Sequence, residues 1–150
     1  MSLSLNNKKT LRGDLKIPAD KSLSHRSVMF NSIAQGDAKI SNFLMGEDCL
    51  STISVMRKLG VKIVVDGENV YTYGKGLDSL IAPQEILDVG NSGTTIRLMS
   101  GILAGRDFNC VLDGDASIRK RPMNRIIKPL NMMGANISAK NNNDNAPIEF

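Results

Sequence analysis

The sequence predicts an α/β (α+β) protein built from about two copies of a β-α-β-α-β-β unit. Three observations lead there. Apolar residues recur at helical spacing in some stretches and as short β-branched runs in others, and the two kinds alternate along the chain. The order of elements restarts after Pro83, which divides the chain into units at about 16–83 and 84–150. Landmarks also recur at offsets of about 70 residues. Gly36-Asp37 returns as Gly105-Arg106-Asp107, and Leu59-Gly60-Val61-Lys62-Ile63 returns as Met133-Gly134-Ala135-Asn136-Ile137.

Taken in order, residues 1–7 carry little pattern, while Lys9 to Ile17 alternates enough for one or two short strands, stopped by Pro18. Asp20, Ser22 and Ser24 are candidate caps for a helix that runs to about Gln35 and ends at Gly36. A strand at Ala38–Phe43 leads to a second helix from Asp48 to Leu59, closed by Gly60, whose apolar residues include Ile53, Met56 and Leu59. Val61–Val65 and Val70–Tyr73 flank an Asp-Gly turn, the mark of a hairpin, and residues 74–83 read as a loop. The second unit repeats the order: strand Ile86–Val89, helix Ser92–Ala104, strand Phe108–Leu112, helix Met123–Met133 with Pro122 near its start, and strand Asn136–Ala139. Asn141–Asn145 reads as a hairpin turn. The last strand is then absent or only begun, so the chain reads as part of a longer protein.

Composition limits the function classes. With 150 residues, 41% hydrophobic and 23% charged, the chain can bury a real core. The formal charge of +4 suits acidic partners, but aromatics make up only 4% and no Lys/Arg block resembles a nucleic-acid arm. A small anion accounts for the excess charge as well as RNA does. No secretion signal and no run of about 18 apolar residues is found, which points to a cytoplasmic protein with no membrane partner. Cys49 and Cys110 sit far apart in apolar surroundings and read as buried reduced thiols, and the single His25 cannot recruit zinc alone. No metal is expected.

Three turns carry the chemistry. The stretch Asp88–Gly105 passes from strand through a tight polar turn into a helix. Gly90 and Gly93 allow close approach, Asn91, Ser92, Thr94 and Thr95 supply caps and donors, and Arg97 adds a charge. An ordinary capped helix with Arg97 in solvent fits that stretch alone equally well. In the first unit Lys21 sits at the mouth of a helix, and Ser22 and Arg26, four apart, share a face. The segment Ser117–Arg125 adds a third basic group. Lys120 and Arg125 read as solvated, whereas Arg121, fixed beside Pro122, can grip a carboxylate or phosphate through parallel hydrogen bonds.

The motifs DKSLSHR (20–26), GNSGTTIRL (90–98) and DGDASIRKRPMNR (113–125), followed by PLNMMGA (129–135), together resemble the 5-enolpyruvylshikimate-3-phosphate synthases. The resemblance spans about Leu11 to Ile148. It implies the enolpyruvyl transferase fold, an inside-out α/β barrel, and transfer of the enolpyruvyl group of phosphoenolpyruvate to the 5-hydroxyl of shikimate 3-phosphate, without cofactor. It implies that Lys21 touches both substrates, that Ser22 and Arg26 hold the shikimate phosphate, and that Asn91, Gly93 and Arg121 form the phosphoenolpyruvate pocket. Asp48 and Arg97 match supporting positions, and His25 is given no catalytic role. Residues 1–15 would pack on a second domain that also supplies the acid and base groups, so this chain alone is expected not to turn over; the whole enzyme is expected to be a monomer. Two other readings compete: the related transferase acting on UDP-N-acetylglucosamine, whose reactive loop cysteine neither Cys49 nor Cys110 matches, and a basic RNA-binding module, which would need exposed aromatics.

Overall fold

The structure, a computed structural model, describes residues 10, 12–140 and 144–150. Among the described residues four α-helices, α1 (Lys21–Ile33), α2 (Glu47–Lys58), α3 (Gly93–Leu103) and α4 (Asn124–Met132), alternate with seven strands. β1 (Gln35–Ile40), β2 (Lys62–Asp66) and β3 (Asn69–Lys75) form an antiparallel sheet in the order β1-β3-β2. β4 (Leu87–Asp88), β5 (Val111–Asp113), β6 (Ser138–Ala139) and β7 (Ile148–Glu149) form the second, in the order β4-β5-β7-β6. There β4 runs parallel to β5, and the other pairs are antiparallel.

α1, α2 and α3 each bury one stripe at three- and four-residue spacing, the condition for an amphipathic helix to dock, while α4 buries only Ile127. Cys49, Ile53 and Met56 of α2 and Ile96, Met99 and Leu103 of α3 meet Val28 and Met29 of α1 in one core shared with Ile63, Val70, Leu87, Leu112 and Ile148 of the strands. Cys49 and Cys110 are buried free thiols, neither in a disulfide. Among the described residues no helix is long and apolar enough to cross a membrane.

The internal repetition extends to hydrogen bonds. After α2, the Gly60 N–H donates to the Arg57 carbonyl and the Val61 N–H to that of Met56; after α4, Gly134 and Ala135 donate to Asn131 and Leu130 in the same way. Gly60 and Gly134 both take a left-handed φ, 92° and 97°, where a side chain would be strained. Arg57 and Asn131 then play one role with different chemistry. The Arg57 guanidinium donates twice to the Ile63 carbonyl, at 3.1 and 2.7 Å, while the Asn131 amide brackets Ile137 with one bond to its carbonyl and one from its N–H.

Several boundaries differ from the sequence reading. α1 stops at Ile33, and Gln35 and Gly36 already pair with Lys75 and Gly74, so β1 starts before the expected strand at 38–43. The strand placed at 108–112 is β5 at 111–113, and that at 136–139 shortens to β6. Pro122 precedes α4 rather than opening it, bridging Asn145. The last strand of the second unit is present as β7, paired with both β5 and β6. Residues 77–79 inside the expected loop form a single 3-10 turn. Thr10 and residues 12–17 form no strand, and the remainder of the expected strand region, residues 9 and 11, with residues 141–143 of the hairpin turn, lies outside the described residues. Phe30, read with the other aromatics as core-like, is exposed, while Phe43 is buried.

Candidate functional site

Three helix N-termini meet at one hollow. Asp20 caps α1 by accepting from the Leu23 N–H at 2.7 Å, and Ser92 caps α3 by accepting from the Thr95 N–H at 3.1 Å. Glycine occupies the cap position of α2, at residue 46, without a side-chain bond. The first turns of these helices, with Arg121 from the loop before α4, enclose a cavity of about 390 Å³ lined by Lys21, Asp48, Asn91, Gly93, Arg97 and Arg121, and also by Glu47 and Thr94. Aligned peptide dipoles leave positive potential and free N–H groups at each helix start, so such a meeting point favours anions. Three cations and two carboxylates line it.

Gly93 decides how closely the cations approach. A Cβ at this position would stand 2.6 Å from Arg121 Nη1 and 3.2 Å from Arg97 Nη1, so both guanidinium groups use the space a side chain would fill. Arg121 is held there by Nη2 donating to Asn91 Oδ1 at 2.7 Å and, more weakly, to Ser117 Oγ at 3.3 Å. Two like charges gathered over one helix start repel each other. A bound oxyanion would relieve that repulsion. Opposite them Lys21 is ion-paired with Asp48 in the first turn of α2.

Lys21, Asn91, Gly93 and Arg121 therefore come together, with Asp48 and Arg97 beside them. Ser22 and Arg26 do not line this cavity. Successive helical residues are turned by about 100°, so Lys21 and His25 share one face of α1 while Ser22 and Arg26 share the next. Arg26 Nε donates to the Ser22 carbonyl at 3.1 Å, and its side chain borders a separate hollow of about 510 Å³ with Ile17, Leu23, Phe30 and Asn42. Of the other basic residues in the third motif, Arg119 is paired: its Nε and Nη2 donate to Asp113 Oδ1 and Oδ2 at 3.0 and 2.5 Å. Burial pushes the Asp113 carboxyl up, but the bonds from Arg119 and the Gly114 N–H, with the charges of Arg119 and Lys140, hold it net below its ordinary value.

Two features were missed in the sequence. Glu47, one residue before the expected start of α2, brings a second carboxylate to the cavity. Beneath the cavity, His25 Nδ1, Thr52 Oγ1, Thr95 Oγ1 and Ser92 Oγ form a buried chain with steps of 2.7, 2.8 and 2.7 Å. The sequence marks Ser92 and Thr95 as caps and donors, but the only trace of the link to the other two helices is that His25 and Thr52 each follow a cavity residue, Lys21 and Asp48, by one helical turn. Burial pushes the His25 imidazole below its ordinary value; the Asp48 charge opposes this and the Lys21 charge adds to it. Among the described residues no cluster of His, Cys, Asp and Glu is placed to hold a metal.

Comparison with known proteins agrees with the three motifs. The family model described as EPSP synthase (3-phosphoshikimate 1-carboxyvinyltransferase) matches residues 5–150. The 3-phosphoshikimate 1-carboxyvinyltransferase of Bacillus cytotoxicus is 56% identical over 147 residues, covering 98% of this chain and 35% of the relative. That of Herpetosiphon aurantiacus is 48% identical over 148 residues, covering 99% and 34%. A solved structure of EPSP synthase from Acinetobacter baumannii superposes with a TM-score of 0.87 at 45% identity, covering 92% of this chain and 32% of that one. The chain spans about a third of the length of these relatives.

Proposed function

This chain belongs to the EPSP synthase family, and on that premise we propose that it forms part of the active site of a cytoplasmic 3-phosphoshikimate 1-carboxyvinyltransferase. The reaction moves the enolpyruvyl group of phosphoenolpyruvate to the 5-hydroxyl of shikimate 3-phosphate and releases phosphate, a step of aromatic amino acid biosynthesis. One observation carries the reading: Arg97 and Arg121 converge over Gly93 at the N-terminus of α3, with Lys21 across the cavity.

In this reading Arg121, Asn91 and the space over Gly93 receive phosphoenolpyruvate, and Lys21 is shared between the two substrates. Ser22 and Arg26, on the adjoining face of α1, hold the phosphate of shikimate 3-phosphate. Addition followed by elimination brings two polyanions together through a tetrahedral intermediate that keeps both anionic groups. Cations held in place by Asn91, Asp48 and the helix starts offset that charge without rearranging during the reaction. The proton donor and acceptor belong to the part of the enzyme this chain does not span. The same reading takes residues 16–83 and 84–150 as two units of one domain, with residues 1–15 packing on the other.

The test is titration of the 150-residue chain with shikimate 3-phosphate, then incubation with both substrates and assay of released phosphate. Saturable binding that Arg26→Ala weakens, with no phosphate release above background, is the expected result. Equal affinity for Arg26→Ala and the parent would refute the assignment of that residue. Turnover by the chain alone would refute the placement of acid and base elsewhere.

A further inference from the structure

We propose that His25 is a positioning residue of this site: a neutral imidazole protonated on Nδ1 that, through Thr52 and Thr95, fixes the Ser92-capped start of α3 beneath the converging arginines. The inference rests on reading the cavity as the anion site.

The hydrogen-bond chain joins the three helices that line the cavity and no others. His25 lies one turn behind Lys21 on α1, Thr52 one turn behind Asp48 on α2, and Thr95 in the first turn of α3 next to Thr94. His25, Thr52, Ser92 and Thr95 are all 0% exposed, so no bulk water competes for their hydrogen bonds. Removing a link would alter the relative setting of helix starts whose side chains must meet one small ligand.

The direction of the chain follows from where its protons can end. Thr95 Oγ1 lies 3.3 Å from the Asp48 backbone carbonyl, which can only accept. With the Thr95 hydroxyl donating there, its oxygen accepts from Ser92 and Thr52, whose oxygens accept in turn from the Thr95 N–H and from His25 Nδ1–H. Nε2 is then left bare. Among the described residues it has no hydrogen-bond partner, and a buried bare acceptor costs less than a buried orphan N–H. The reverse polarity would strand an Nε2–H donor and leave the Asp48 carbonyl without the Thr95 proton. Burial, which disfavours the imidazolium, keeps the ring in the neutral form this arrangement needs.

His25 is the only histidine of the chain, so its two ring nitrogens can be read without assignment. In the whole 150-residue chain at neutral pH, two-bond proton–nitrogen correlation is expected to show a protonated Nδ1 and an unprotonated Nε2. Phosphoenolpyruvate titration is expected to give about 3- to 10-fold weaker binding for Thr52→Val, the effect of one neutral hydrogen bond, and parental affinity for Thr52→Ser. An Nε2–H tautomer overturns the inference, as does parental affinity in Thr52→Val or weakened affinity in Thr52→Ser. Should Thr52→Val fail to fold, the tautomer and the Thr52→Ser affinity decide between the same two outcomes. Failure of the parent chain to bind phosphoenolpyruvate, with the expected tautomer present, refutes the anion-site reading and the positioning role with it. Binding by a parent that carries the Nε2–H tautomer refutes the positioning role alone.

Discussion

Arg121→Ala separates a binding role from a structural one, because the structure gives different magnitudes for each. Arg121 is half-buried, and its guanidinium donates to Asn91 Oδ1 at 2.7 Å and to Ser117 Oγ at 3.3 Å. Its charge also lies against that of Arg97, both Nη1 atoms standing within 3.2 Å of the point where a Gly93 Cβ would be. Two unit charges about 4 Å apart in water repel by about 1 kcal/mol, which offsets much of what one partly exposed hydrogen bond contributes. The free chain should therefore unfold at nearly the parental temperature. A bound phosphate or carboxylate changes the balance, since it takes charge-assisted hydrogen bonds worth about 1.5–3 kcal/mol, or about 10- to 150-fold in affinity. Calorimetric titration with phosphoenolpyruvate beside a thermal melt of each protein measures both quantities. A Tm lowered by several degrees in Arg121→Ala, with a titration curve that overlays that of the parent, would refute the binding role, because Arg121 would then be holding the loop before α4 and no ligand.

Two further perturbations test other parts of the account. Asp113→Asn breaks the paired bonds from Arg119 and should lower Tm by several degrees near neutral pH. Because the Asp113 carboxyl titrates below its ordinary value of about 3.9, the parent keeps this advantage above that pH and loses it as pH falls through the depressed value, so the two Tm curves should converge under acid; parallel curves would show that the pair contributes nothing specific. Gly93→Ala places a methyl group 2.6 Å from the present position of Arg121 Nη1, too close for both, on a helical backbone that tolerates alanine, so Tm should hold or rise while the Arg121 guanidinium resonances shift as the group withdraws. A lower Tm with those resonances unmoved would mean that the backbone of α3 yielded instead.

What the sequence revealed and what it hid divide along physical lines. Hydrophobic stripes, glycine stops and caps act within one or two turns of the chain, so α2, α3 and the β2–β3 hairpin were legible to within a residue or two. The start of β1 was not, because Gln35 and Gly36 are exposed, lack an apolar side chain, and belong to a strand only through pairing with Lys75 and Gly74, about forty residues on in the chain. Cavity residues that open helices were legible because helix starts have local signatures. Lys21 follows the Asp20 cap and Gly93 follows the Ser92 cap, so both could be placed before any tertiary contact was known. The contact between Arg121 and Asn91 spans 30 residues and depends on how two separate turns pack, which no local pattern encodes. The buried polar chain is the extreme case. Nothing local marks His25 or Thr52 as interior, and the three hydroxyls and His25 Nδ1 are accommodated there by bonding to one another. Any one of them placed alone in that interior would be a burial penalty, so the identities of His25, Thr52 and Thr95 depend on residues 27 or 43 positions away, and only the Ser92–Thr95 link is local.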